Sequence, residues 1–86
     1  VIIGGDKKMK SRASDYVDKK WENVIAQNII YELDKRNLSI LEFSKIIGIN
    51  PNTVYRITWG NYNPSLLTLT KISNGLNIPL SNLFKE

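Results

Sequence analysis

The sequence contains no cysteine and no histidine. Disulfide frameworks, zinc sites built on Cys or His, and Ser-His or Cys-His nucleophile pairs are thereby excluded. No catalytic residue, metal ligand or cofactor site is expected, and no small-molecule ligand is evident. Long apolar runs are missing too. None approaches the ~18–20 residues that cross a bilayer, and Val1-Ile2-Ile3 is too short, and lacks the preceding basic flank, for a secretory signal. The missing cysteine fits either redox compartment, so cytoplasm is the default expectation. Acid is absent from one whole stretch. Between Glu42 and Glu86 there is no Asp or Glu, while Lys45, Arg56, Lys71 and Lys85 all fall there.

What is present suits one small domain. A chain of 86 residues lies near the lower end of unaided folding. Without covalent staples it must rely on close packing of regular elements, and its 42% hydrophobic content can support that. Twelve Lys/Arg against eight Asp/Glu leave a net +4, a weak pointer to an anionic partner. The distribution says more than the sum. Lys7, Lys8, Lys10, Arg12, Lys19 and Lys20 crowd the start of the chain. Residues 1–13 are expected to form a flexible tail, with Met9 a candidate native start, and 14–86 the domain.

Apolar residues along the domain recur at helical spacing. Ser14-Asp15 reads as a cap, and Val17, Trp21, Val24, Ile25, Ile29 and Leu33 then form one stripe on a helix ending near Asn37. Ser39-Ile40-Leu41-Glu42 fits a capping box. Leu41, Phe43, Ile46 and Ile47 give the second helix its apolar face, and Gly48 ends it. Asn50-Pro51 restarts helix, with Val54 and Ile57 as its inward positions. Ser65 caps a fourth helix carrying Leu66, Leu67, Leu69, Ile72 and Leu76, with Asn77 as its stop. Gly75 inside it costs about 1 kcal/mol in propensity, which suggests a close helix contact. Leu80, Leu83 and Phe84 indicate a last short helix. No strand-length alternation and no repeat occurs, so the fold class is all-α, with four or five helices.

Two short helices joined by Gly48-Ile49-Asn50 have the form of a helix-turn-helix. The likeness extends through Asn37-Leu38-Ser39, Phe43-Ser44, Ile46-Ile47-Gly48-Ile49 and Thr53-Val54-Tyr55-Arg56-Ile57. It continues in Trp59-Gly60-Asn61-Tyr62-Asn63-Pro64-Ser65, Leu69-Thr70-Lys71-Ile72-Ser73 and Leu76-Asn77-Ile78-Pro79-Leu80. Across residues 24–84 the chain resembles the Cro/C1-type (xenobiotic-response-element) helix-turn-helix regulators. The resemblance implies a lambda-repressor-like domain that binds double-stranded DNA, and implies a homodimeric repressor acting on a two-fold operator.

In such proteins the second motif helix enters the major groove. Here its outward positions near the start are Pro51, Asn52, Thr53 and Arg56, with Tyr55 on the flank. Asn can pair with adenine, Arg with guanine, and Thr or Pro can touch a thymine methyl. The resemblance places phosphate contacts at Ser39, Asn61, Tyr62, Asn63 and Ser65, with Lys45 and Lys71 as longer-range contributors. These are mostly neutral donors, so a modest salt dependence is expected.

Three positions depart from the family pattern. Ile40 stands where a phosphate-binding Gln is usual, so that contact is in doubt, or Ile40 packs instead. Leu33 and Thr58 replace a frequent Arg–Glu pair, and losing both charges leaves no orphan. Trp59 replaces a polar residue. Packing on the first helix is its expected role, the alternatives being stacking on the DNA backbone and a dimer contact. Dimer candidates are Leu80, Leu83 and Phe84, or Tyr16, Val17 and Trp21. A protein-binding helix-turn-helix module, such as an antitoxin, is the alternative function. Glu32, Asp34 and Glu42 read as helix surface and cap, and an enzyme is not expected.

Overall fold

The structure, a computed structural model, describes residues 19–86, so the cap at Ser14-Asp15, Tyr16, Val17 and the expected tail lie outside the described residues. Four α-helices follow in order: α1 (Lys19–Lys35), α2 (Ile40–Ile47), α3 (Pro51–Thr58) and α4 (Leu66–Leu76). A 3-10 turn at Leu80–Phe84 closes the domain. Among the described residues there is no strand, and the all-α expectation holds.

Each boundary has a local chemical cause. Asn37 adopts a left-handed conformation (φ 57°) after α1, which brings the Leu38 amide back to the Leu33 carbonyl at 3.0 Å. The Ser39 hydroxyl accepts from the Glu42 amide at 3.0 Å, and the Glu42 carboxylate accepts from the Ser39 amide at 2.9 Å. The capping box is complete. Gly48 (φ 70°) ends α2 and turns the chain into α3, where the Asn50 side chain accepts from the Asn52 amide at 2.8 Å. The Ser65 hydroxyl caps α4 through the Thr68 amide, and Asn77 stops it at φ 58°.

The core collects Ile25, Ile29 and Leu33 from α1, Phe43 from α2, Val54 and Ile57 from α3, Leu69, Ile72 and Leu76 from α4, and Leu83. Burying each such side chain is worth about 1.5–3 kcal/mol. Gly75 lies where α2 meets α4, and a Cβ there would collide with the Ile47 methyl and crowd the Phe43 ring. The close contact inferred from a glycine in mid-helix is present.

Some apolar residues face outward instead. In α2 the inward stripe runs through Ile40, Phe43, Ser44 and Ile47, which leaves Leu41 and Ile46 exposed. Leu66 and Leu67 occupy the first turn of α4, before the core begins at Leu69, and are exposed. Leu83 is fully buried, and Phe84 packs its ring edge-on to Trp21 at 5.9 Å. These residues hold the C-terminal turn to α1, aided by Asn28, whose amide donates to the Leu83 and Lys85 carbonyls at 2.9 Å.

Candidate nucleic-acid interface

α3 is divided into two faces by its sequence. Val54, Ile57 and Thr58 are buried, locking the helix onto α1 and α2. Asn52, Tyr55, Arg56 and Trp59 follow at steps of three, one and three, which places them on one outward face. Together they line an open groove of about 330 Å³. Pro51 and Thr53 are half-buried beside it, and Asn52 is exposed. Of the residues expected to face a base edge, Asn52 and Arg56 share this groove, whereas Pro51 and Thr53 do not line it.

Trp59 differs from expectation. It does not pack on α1: it is 66% exposed. The inward place at the end of α3 is taken by Thr58, whose hydroxyl donates to the Tyr55 carbonyl at 2.8 Å. Trp59 lies four residues after Tyr55 and so shares its outward face, with the two ring centroids 6.2 Å apart and tilted by 34°. The tryptophan is part of the groove.

The residues expected near phosphate are arranged around α3. Ser39 and Ser65 are helix caps at the starts of α2 and α4. The first amides of these helices have no partner within the helix, and the dipole there favours anions. Between α3 and α4, Asn61 is exposed, while Tyr62 packs partly against the core. Asn63 donates to the Glu22 carboxylate at 3.4 Å. Ile40 packs against the core, so it has a structural role in place of the usual glutamine's. Leu33 and Thr58 are both buried.

Sequence reasoning missed the N-terminal turn of α1. The Lys19 ammonium donates to the Gly60 carbonyl at 2.7 Å and lies 3.7 Å from the Glu22 carboxylate. Gly60 (φ 77°) presses so closely on Asn23 that a Cβ there would collide with the asparagine side chain. Lys19 and Glu22 thus hold the segment after α3 from 41 residues away, and Asn23 packs against it. Only the positive-φ glycine hinted at so tight a turn.

Several carboxylates are engaged within the domain, while Asp34 is exposed and lines a pocket with Ser39. Glu22 is engaged by Lys19, Glu32 by Arg36 and Lys35, and Glu42 by its own cap. The backbone amide of Ser39, joined by its hydroxyl, holds the Glu42 carboxyl below its ordinary value. None of the ion pairs among the described residues uses Arg56, Lys45 or Lys71. Arg56 therefore offers a whole guanidinium in a stretch that has no acid of its own.

The sequence profile of the helix-turn-helix family HTH_3 matches residues 29–83, more than half of the chain. The chain belongs to this helix-turn-helix family. An HTH_3 family transcriptional regulator from Vibrio cholerae is 26% identical, with a TM-score of 0.74 over 79% of this chain. The chain spans only 38% of that regulator's length. The restriction-modification controller protein C.AhdI from Aeromonas hydrophila shares the fold at 22% identity and TM-score 0.70, covering 73% of this chain and 96% of its own. So does the hypothetical transcription factor NHTF from Neisseria, at 18% identity and TM-score 0.73, covering 81% of this chain and 82% of its own. None of the curated proteins matches the chain. The domain is thus a helix-turn-helix of the kind carried by a transcriptional regulator. Among the described residues of this HTH_3 domain, no helix is long and apolar enough to cross a membrane.

Proposed function

We propose that this HTH_3 domain is a sequence-specific repressor, active in the cytoplasm as a homodimer on a two-fold operator. The observation that carries the reading is the groove on the outward face of α3, where Asn52 and Arg56 stand side by side without a competing acid. Arg56 reads guanine, Asn52 reads adenine, and Pro51 and Thr53 contact the bases at the entry of α3. Ser39 and Ser65, at the starts of α2 and α4, and Asn61, Tyr62 and Asn63 in the intervening loop position the phosphates. A dimer of such domains presents its two α3 helices about 34–36 Å apart, one turn of DNA.

Selection of bound sites from random duplex DNA tests this directly. Wild-type protein is expected to enrich a palindromic motif, and Arg56→Ala to lose preference at one base of each half-site. Absence of any motif rejects the reading. An unchanged motif with Arg56→Ala removes Arg56 as a reader. Mass measurement of the DNA complex decides between one and two protomers.

A protein-binding module is the second reading. It draws on Ile46, Leu66 and Leu67, each more than 60% exposed. A domain that shifts no DNA yet forms a stoichiometric complex with a protein would favour it.

A further inference from the structure

We propose that the groove on α3, at the wall formed by Tyr55 and Trp59, receives the C5-methyl group of a pyrimidine, so that the domain reads a methyl group as well as hydrogen-bonding edges. The inference rests on α3 being the DNA-reading helix, as proposed above.

The groove on α3 has a mixed character. Two aromatic rings form its apolar wall, and the Asn52 amide and Arg56 guanidinium supply its polar groups. The ring centroids lie 6.2 Å apart with a tilt of 34°, so the two rings touch and form one continuous apolar wall. Trp59 is 66% exposed, and the domain's own core makes no use of it. An exposed tryptophan forgoes most of the gain that its large apolar surface would bring on burial. An occupant for the groove must therefore be apolar at its tip and compatible with a neighbouring cation.

Duplex DNA offers one such group on its major-groove edges. Among the four bases only thymine carries an apolar substituent there, the C5-methyl, beside a carbonyl acceptor. The methyl would lie in the groove against the exposed sides of the two rings while Arg56 and Asn52 address the adjoining purine edges. The same methyl occurs on 5-methylcytosine, so the chemistry recognised is the methyl itself. An apolar protein side chain would fill the groove equally well by shape. The cation beside the aromatic wall and the acid-free chain around it favour the nucleic acid.

The test uses the duplex enriched by wild-type protein. Each thymine is replaced singly by deoxyuridine, which removes only the methyl group, and affinity is measured by titration. One position per half-site is expected to weaken binding about fourfold, the factor that corresponds to one buried methyl. At that position a C·G pair is then compared with its 5-methylcytosine counterpart, and methylation is expected to restore affinity by a similar factor. Trp59→Ala should bind thymine and uracil duplexes alike, whereas Arg56→Ala should retain the difference. Tyr55→Ala repeats the test at the other ring. Trp59→Leu, which keeps an apolar wall, should preserve part of the discrimination.

Equal wild-type affinity for every thymine and uracil duplex overturns the inference and leaves DNA recognition standing. A methyl penalty that survives in both Trp59→Ala and Tyr55→Ala overturns it too, as does indifference to cytosine methylation. A wild-type protein that enriches no site removes both the inference and the reading beneath it.

Discussion

The Arg36 guanidinium, just beyond α1, donates from Nη2 to the Leu76 carbonyl at the end of α4, 2.7 Å away and 40 residues along the chain. Leu76 is the last residue of α4, where carbonyls have no amide of their own helix to accept from. Arg36 satisfies this one and joins the two helix ends. Its Nη1 donates to both the carbonyl and the carboxylate of Glu32, at 2.9 and 2.5 Å. Glu32 is only 8% exposed, so its charge depends on that guanidinium.

Arg36→Met is therefore expected to destabilise the domain by about 1–3 kcal/mol, through lost charge-assisted bonds and a carboxylate left with Lys35 alone. Urea unfolding measures this. Stability equal to wild type would show that the link is ornamental.

The same pair predicts a pH effect. The Arg36 hydrogen bond holds the Glu32 carboxyl below its ordinary value of 4.5, against the opposing pull of burial. A depressed folded pKa contributes stability that is present above pH 4.5 and is lost as pH falls through the lower folded value. Wild type should lose stability in that acid window, and Arg36→Met should lose less. Parallel unfolding curves from pH 6 to pH 3 would contradict the assignment if the two proteins fell equally.

Two glycines should respond to alanine for different reasons. At Gly75 the added methyl meets Ile47 and Phe43, so a net loss of about 1–3 kcal/mol is expected despite better helix propensity. At Gly48 nothing lies within 4 Å, but φ is +70°, so the cost is conformational and about 1 kcal/mol. A Gly75→Ala protein more stable than wild type would mean that α2 moves away freely.

Glu42 offers a test of the phosphate role of α2. Its carboxylate accepts from Ser39, where a DNA phosphate would approach the helix start. Glu42→Gln keeps a side chain able to accept that bond and removes the charge. DNA affinity is expected to rise by about three- to tenfold at low salt, with less gain at high salt. Unchanged affinity would place the phosphate elsewhere.

Lys19→Gln probes the brace on the segment after α3. It removes the ammonium that donates to the Gly60 carbonyl and faces Glu22. Affinity for the selected site should fall several-fold while the preferred motif stays the same, as the proposed role of the loop in positioning phosphates requires. A changed motif, found by repeating the selection, would show that the brace also sets the angle of α3.

Local signals proved the most readable. Ser39 with Glu42, Gly48, Asn50-Pro51 and Ser65 act within a few residues of themselves, and their caps and stops appear as their chemistry demands. Asn52 and Arg56 were legible as neighbours because helical spacing alone places them on one face away from Val54 and Ile57. Trp59 was misjudged, since a large apolar residue at a helix end can face either way and only its neighbours decide. Leu66 and Leu67 posed the same ambiguity, at a helix start that projects past the core.

By itself the sequence determined the kinds of chemistry open to this protein, the helices, their ends and the family to which they belong. These depend on residue type and on spacing over one or two turns. Tertiary structure alone decided that Lys19 braces Gly60, that Arg36 reaches Leu76, and that Trp59 joins Tyr55 at an open groove. The two braces join residues some 40 positions apart, and the groove exists because packing turns one face of α3 inward. A contact between distant residues has no local signature, because it exists only once the chain between them has folded.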